Sequence, residues 1–452
     1  MTADLHRLGV KQALEGLQAG RFTSEALVRA CLARIEELEP RIEAWAWLDP
    51  GTALKNARQA DQRRSAGKTG ALLGVPVGVK DIIDVHGVPT HMGSPAFDDY
   101  VPDKSARVVR RLEEAGAVML GKTVTAELAY LTPGKTRNPW NPAHTPGGSS
   151  SGSAAAVAAR CVPAAIGTQT NGSVIRPAAF CGVIGYKPSA GLISRAGILK
   201  FSHTLDQVGV FTRDVADAAV LASSLMGHAP DDPDTLSDFA LVPKNLDPAP
   251  LFQPPKLAAV RTPVWNLADA AQQDNFTQSI AALRKIGAAV ETVTLPDSFG
   301  HAHDTLRTIM QYEGARSLAV LQTQQRERLS TAINRLIDDG LRITEAAYHA
   351  ALETRTRLQG EINELMHRYD ALLTPPARGE APPTLESTGD PAFCTIWTLC
   401  GLPALTLPTG LGAHGLPLGL QIIGGYLQDA RLLQVAQWCA PQVGFRHQPA
   451  EP

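Results

Sequence analysis

Two short loops rich in glycine and serine carry the residues of this sequence that are best suited to chemistry. The first spans 147–153 (GGSSSGS) and the second spans 167–173 (GTQTNGS). An alanine-rich helix former and a short apolar run separate them, so one helix and one strand could bring Ser149 and Ser173 together. A serine hydroxyl becomes a strong nucleophile when a neighbouring group removes its proton. A flexible linker is the simpler interpretation of one such run, but linkers seldom recur between apolar elements.

Lys80 is the candidate base. It ends the apolar segment 73–81 (LGVPVGVKD), which predicts a buried strand. Burial disfavours the ammonium form of a lysine. A neutral amine at pH 7 requires a pKa about 3 units below the usual one, which corresponds to roughly 4 kcal/mol. Without further motifs, a solvated charge at the end of a strand is the alternative interpretation of this lysine.

Further motifs agree with the two loops and the lysine segment, and together they resemble the amidase signature family of serine hydrolases. They occur at 74–81 (GVPVGVKD), 177–182 (PAAFCG), 185–189 (GYKPS), 204–209 (TLDQVG) and 400–404 (CGLPA). The resemblance covers nearly the whole chain. It implies hydrolysis of an amide through an acyl-enzyme, with Ser173 as nucleophile, Ser149 as bridging serine and Lys80 as base. It also implies a cis peptide bond before Ser149.

The resemblance further implies an oxyanion hole formed by the backbone amides of Thr170, Asn171, Gly172 and Ser173. Here the sequence departs from the usual family pattern. Asn171 replaces a glycine, and asparagine tolerates a positive φ better than most residues. Its side chain could crowd the acyl pocket or add a polar contact. Gln169 replaces the commoner aspartate and can keep the hydrogen bonds of the loop without a charge.

Three residues are candidates for contact with substrate: Tyr130, Gly148 and Arg176. Tyr130, like Trp140, could line a pocket or serve in packing. Arg176 follows the predicted nucleophile by three positions and is either a structural ion-pair partner or an anchor for a substrate carboxylate. The other serines of the first loop, Ser150, Ser151 and Ser153, are expected to hydrogen-bond the loop.

Residues 116–123 (GAVMLGKT) match the phosphate-binding pattern G-x-x-x-x-G-K-[ST]. That motif needs a strand before its first glycine and a loop of amides between the two glycines. A helix is predicted over 105–115 instead, and the four intervening apolar residues are typical of a strand. Nucleotide binding is therefore not expected.

Strand patterns alternate with helix patterns along the chain, which predicts an α/β fold. We expect a single large domain over 1–452, with a mixed, mostly parallel β-sheet covered by helices on both faces. Its catalytic core is expected over 60–215, with a variable lobe over 228–345. Pro40 is expected to end a helix, 228–255 to form a surface connection, and two long helices to span about 303–337 and 344–369.

Composition limits the remaining functions. The 452 residues are 44% hydrophobic and 19% charged, with a formal net charge of −2, so a nucleic-acid partner is not expected. Neither the six cysteines nor the twelve histidines have metal-ligand spacing, so we expect no metal and no cofactor. The amino terminus lacks a signal-peptide pattern and no apolar stretch is long enough to span a membrane. We expect a cytoplasmic protein with no membrane partner and a possible homodimer.

The predicted function is hydrolysis of the C–N bond of a linear carboxamide, releasing ammonia or an amine. The substrate is a small-molecule amide or carbamate. Two alternatives stay open. One is a hydrolase of carbamates, ureas or aryl amides. The other is the glutaminase subunit of a tRNA-dependent amidotransferase, which requires partner chains.

Overall fold

One β-sheet organises the molecule. The structure is a computed structural model that describes residues 4–238, 240–243, 246 and 248–451. Within these residues the sheet has eleven strands, which are β1 (Trp45–Leu48), β2 (Pro76–Lys80), β3 (Val118–Thr123), β4 (Ala164–Gln169), β5 (Ile184–Lys187), β6 (Gln207–Thr212), β7 (Lys256–Arg261), β8 (Ala289–Thr294), β9 (Ala371–Thr374), β10 (Ala404–Leu411) and β11 (Pro417–Ile423).

Helices flank this sheet. In the described part of the chain the α-helices are α1 (Val10–Gln18), α2 (Ser24–Ile42), α3 (Pro50–Ser65), α4 (Arg107–Glu114), α5 (Ser151–Ala158), α6 (Ile175–Cys181), α7 (Val215–Leu225), α8 (Ala270–Lys285), α9 (Ala302–Gln325), α10 (Thr331–Gly340), α11 (Glu345–Met366), α12 (Thr395–Leu399) and α13 (Asp429–Val443). The predicted α/β domain with a mixed sheet is confirmed.

The strand order is β1-β3-β2-β4-β6-β5-β10-β11-β9-β7-β8. The prediction of a mostly parallel sheet is wrong, because six of the ten neighbouring pairs between the described strands are antiparallel. Helix α6 joins β4 to β5, and these two strands run in the same direction. Strand β6 lies between them and runs the opposite way. The short loop 412–416 also reverses the chain between β10 and β11.

At the end of the sheet that contains β9 and β7, both faces pack against hydrophobic cores. Successive residues of a strand point to opposite faces. Leu257, Ala259 and Leu373 belong to the main hydrophobic core, whereas Ala258, Val260 and Leu372 belong to a second core. The second core also contains apolar residues of α9, α11 and α12. The predicted helical cover on both faces is confirmed here.

Several predicted element boundaries need correction. Helix α2 continues past Pro40 to Ile42, because a proline in the last turn disrupts few backbone hydrogen bonds. The helix expected over 303–337 is divided by the segment 326–330, where Ser330 caps α10. The predicted surface connection over 228–255 includes residues 239, 244, 245 and 247, which lie outside the described residues.

Strands β2 and β4 bring the predicted catalytic segments together. They are parallel neighbours, with Val79 opposite Ile166. The carboxyl ends of parallel strands lie at the same edge of a sheet. Lys80, which ends β2, therefore lies beside the residues that end β4 and begin the second loop. No α-helix among the described residues is long and apolar enough to span a bilayer.

Candidate active site

Lys80 is completely buried at the end of β2. Its Nζ lies 2.8 Å from Ser149 Oγ and 2.8 Å from Thr168 Oγ1 and donates a hydrogen bond to each. Burial lowers the pKa of Lys80 to about 7, while the charge of Asp206 acts in the opposite direction. Neutral hydroxyls accept its hydrogen bonds, and the lowered pKa favours the uncharged amine at neutral pH far more than in a solvated lysine.

Ser149 lies in the loop before α5 and is also buried. The peptide bond between Gly148 and Ser149 is cis, as the resemblance implies. The Ser149 carbonyl accepts hydrogen bonds from the amides of Ala126 at 3.0 Å and Ser151 at 2.9 Å. These contacts fix the backbone of Ser149 while its hydroxyl faces Lys80.

The other serines of this loop hydrogen-bond to the backbone, as predicted. Ser150 Oγ donates to the Thr168 carbonyl at 3.1 Å, and Ser153 Oγ donates to the Ile166 carbonyl at 3.0 Å. Ser151 Oγ donates to the Val124 carbonyl at 3.3 Å. The first loop is thereby attached to β4, the strand that leads into the second loop.

Ser173 lies between β4 and α6 and retains 8% of its accessible surface. Its hydroxyl makes no hydrogen bond with another described residue. Gln169 Oε1 accepts hydrogen bonds from the amides of Val174 and Ile175 at 2.8 and 3.0 Å. Among the described residues no acceptor pairs with the four amides from Thr170 to Ser173.

Asn171 faces α12. Its Oδ1 accepts a hydrogen bond from Thr395 Oγ1 at 2.9 Å, and its carbonyl accepts one from Thr398 Oγ1 at 2.6 Å. A positive φ is found at Glu43, Met92 and a few other described non-glycine residues, but not at Asn171. The loop therefore does not require the left-handed conformation, and the side chain makes the added polar contact that was one of the two expectations.

Asp206 was not predicted as a site residue, although it lies within the motif at 204–209. Its Oδ1 accepts a hydrogen bond from Thr170 Oγ1 at 2.6 Å, and its Oδ2 accepts from the amides of Phe201 and Ser202 at 2.9 and 2.8 Å. Burial raises the pKa of this carboxyl group. An acidic residue within a recognised motif was the available sequence signal.

A cavity of about 300 Å³ adjoins Thr168 and Thr170. Its apolar lining includes Ile82, Ile198 and Phe201, and its charged lining includes Lys200. The ring of Tyr130 stacks on Phe201 with the ring centroids 5.6 Å apart, so Tyr130 supports the wall of the cavity. This cavity is large enough for a small organic acyl or amine group.

Arg176 is buried in α6, and the structural ion pair that was one of its two predicted roles is not found among the described residues. Its Nη2 donates to the Gly148 carbonyl at 2.8 Å and to Thr388 Oγ1 at 3.0 Å. No described carboxylate lies within 4 Å of its guanidinium. Burial lowers the pKa of Arg176 to about 10. Arg176 and Gly148 thus contact each other, which attaches α6 to the first loop.

The segment that resembles a phosphate-binding loop contains strand β3, as predicted, and α4 precedes it. Lys122 is buried there, with Nζ 2.9 Å from Asp81 Oδ1 and 2.7 Å from Thr90 Oγ1. Its charge is therefore paired within the fold. The described residues contain no group of three histidine, cysteine or acidic side chains arranged to hold a metal ion.

Comparison with known proteins identifies the family of this chain. The family model described as Amidase matches residues 26–433. The chain is 34% identical to a glutamyl-tRNA(Gln) amidotransferase subunit of Chloroflexus aurantiacus, over 96% of each chain. It resembles the solved peptide amidase of Stenotrophomonas maltophilia, with 32% identity, 98% coverage of each chain and a TM-score of 0.86. It also resembles a 6-aminohexanoate cyclic dimer hydrolase complexed with substrate, with 26% identity, 99% coverage of each chain and a TM-score of 0.85.

The fold and these relatives define a hydrolase of carbon–nitrogen bonds with the amidase signature fold. The chain belongs to the amidase family.

Proposed function

We propose that this protein hydrolyses a linear carboxamide by way of an acyl-enzyme, with Ser173 as nucleophile, Ser149 as bridging serine and Lys80 as base. The observation that carries the proposal is the 2.8 Å contact between the buried Lys80 Nζ and Ser149 Oγ. An amine with a pKa of about 7 can accept a proton at physiological pH. A lysine in the solvated state could do so only rarely.

In the proposed reaction, Ser173 attacks the amide carbon while its proton passes to Ser149 and the proton of Ser149 passes to Lys80. The amides of Thr170, Asn171, Gly172 and Ser173 stabilise the developing oxyanion. The proton then returns through Ser149 to the departing nitrogen, since an amine leaves readily only when protonated. Water releases the acyl group from Ser173 by the same sequence of proton transfers.

The direct test of this proposal is covalent labelling. Incubation with a fluorophosphonate or sulfonyl fluoride, followed by peptide mass spectrometry, is expected to place the label on Ser173. A screen of small amides, anilides and carbamates should then identify turnover. Modification confined to other residues would contradict the assignment of the nucleophile.

The 34% identity to an amidotransferase component supports a second candidate function, a glutaminase that works together with partner chains. The two functions make different predictions for the purified chain. A free-standing amidase turns over simple amides alone. A glutaminase of this kind would show glutamine hydrolysis that depends on added partner chains and would leave the other amides of the screen intact.

Asp206→Asn is expected to move the acid limb of the pH–rate profile to lower pH. The charge of Asp206 raises the pKa of Lys80, so its removal keeps Lys80 neutral at a lower pH. We expect a displacement of a few tenths to about one pH unit. Asp234→Asn, at an acidic residue on the same cavity that pairs with Arg195, is the control and should leave the limb in place.

Asn171→Gly is expected to lower the free energy of unfolding by about 1–2 kcal/mol, through loss of the Thr395 hydrogen bond and the greater backbone entropy of glycine. Denaturant unfolding of the two proteins measures the difference. The substrate screen should be run in parallel, and we expect an altered acyl preference. Equal stability together with an identical substrate profile would show that this side chain is neutral.

A further inference from the structure

Two residues of the second loop are joined to α12 through a single hydroxyl. Gln169 Nε2 donates to Thr398 Oγ1 at 2.9 Å, and Thr398 Oγ1 donates to the Asn171 carbonyl at 2.6 Å. Thr398 is buried, so water does not replace these bonds. The three groups form a directed chain of hydrogen bonds from Gln169 to Asn171.

The number of hydrogens explains why an amide suits position 169. A threonine hydroxyl has one hydrogen, and the Asn171 carbonyl takes it. Thr398 Oγ1 can therefore only accept from residue 169, and the Gln169 amide supplies that donor. A carboxylate at this position would compete with the Asn171 carbonyl for the same hydrogen.

The Asn171 carbonyl shares a peptide plane with the Gly172 amide. The bond is trans, since the one cis bond among the described residues is Gly148–Ser149. In a planar trans peptide the C=O and N–H groups point in opposite directions. Thr398 therefore fixes the direction of the Gly172 N–H, which faces away from α12. A Cβ at Gly172 would lie 2.9 Å from Pro391 Cβ and 3.2 Å from Cys394 Cβ, so the loop fits closely against this segment.

We propose that Thr398 is a positioning residue that orients the Gly172 amide towards the oxyanion, and that Gln169 supports it by supplying the donor that Thr398 needs. The inference rests on the proposed function, because it assigns an oxyanion contact to that amide. It also gives a role to α12, which leads directly into the motif at 400–404.

The test compares the rate of Ser173 labelling by a fluorophosphonate probe, whose P=O group occupies the same position as an oxyanion. Thr398→Val keeps the shape of the side chain but removes both hydrogen bonds. In other hydrolases, loss of one oxyanion donor lowers kcat by about 10²–10³-fold. A Gly172 amide that points in the wrong direction is therefore expected to slow labelling by about 10- to 100-fold. Thr398→Ser retains the hydroxyl and should restore most of the rate.

Thr374→Val is the matched control. Thr374 is equally buried, and its hydroxyl has no partner among the described residues. It should label at the wild-type rate. The pH at which labelling is half-maximal reports on Lys80. It should be the same in Thr398→Val as in the wild type. A shifted value would instead indicate a general disturbance of the site.

Gln169→Glu is an independent variant with the same side-chain length. It tests the positioning role of Thr398 even if Thr398→Val does not fold. Its carboxylate should draw the hydrogen of Thr398 away from Asn171 and slow labelling about tenfold. If Thr398→Val and Gln169→Glu both label at the wild-type rate, Thr398 has no positioning role, although the proposed function still stands. If only Gln169→Glu folds, a wild-type labelling rate in that variant leads to the same conclusion. Absence of Ser173 labelling in the wild type would instead overturn the proposed function.

Discussion

Ser173→Ala is expected to reduce kcat by at least about 10⁵-fold, because it removes the only group that would form the acyl-enzyme. Removing the nucleophile of another serine hydrolase costs about 10⁶-fold, and the residual rate comes from binding and the oxyanion hole. The fold should be retained, since the Ser173 hydroxyl makes no hydrogen bond with another described residue. Steady-state turnover of the best amide, with thermal unfolding measured alongside, provides the test.

Ser279→Ala is the matched control for this variant. Ser279 is also buried, but its hydroxyl donates to the Asn275 carbonyl within α8, far along the chain from the two loops. It should retain wild-type turnover and fluorophosphonate labelling. Wild-type turnover by Ser173→Ala would remove the nucleophile assignment and with it the proposed reaction.

Lys80→Met should show the second large effect, a loss of about 10²–10⁴-fold in kcat from removal of the base. In the proposed reaction the wild type needs neutral Lys80, so its rate should rise from about pH 6 to pH 8, around a pKa of about 7. The variant should lose this rise. A pH–rate profile that keeps the same limb in Lys80→Met would show that another group titrates.

The same variant should be more stable than the wild type below pH 7. The pKa of Lys80 falls from 10.5 to about 7 on folding, so the unfolded chain binds more protons between these values. Wild-type stability therefore rises with pH through that window, and the full penalty applies below pH 7. Lys80→Met avoids a penalty of about 3–5 kcal/mol at pH 6, and the difference should shrink towards pH 10. Lys285→Met, at an exposed lysine of α8, is the control for both measurements.

The candidate residues could be selected because they lie in short motifs that resemble a known family. Local patterns alone left Lys80 as a solvated charge at the end of a strand and each serine loop as a linker, so the resemblance was needed to choose between these interpretations. The supporting residues could not be found in this way. Thr398 acts on residues more than 220 positions earlier, and Asp206 acts on Thr170 from 36 positions away. Hydrogen-bond partners so far apart leave no periodicity in a single sequence.

The fold, like the site, was predicted only in part. Alternating patterns identified the α/β class, but strand direction depends on which strands become neighbours. Strands β5 and β6 overlap family motifs whose glycines interrupt an apolar alternation, and they were not predicted. Their insertion next to β4 accounts for part of the antiparallel pairing. The role of Arg176 was likewise undecided in the sequence, because a single sequence does not show which groups an arginine contacts.

The position of α12 has a consequence for synthesis of the protein. Lys80, Ser149 and Ser173 leave the ribosome long before residues 395–398, which hold the second loop from the far side. A nascent chain that stops before α12 therefore has all three proposed catalytic residues but not the support for the loop. Hydrolytic activity is expected to begin only when translation is nearly complete, so that truncated products remain inert.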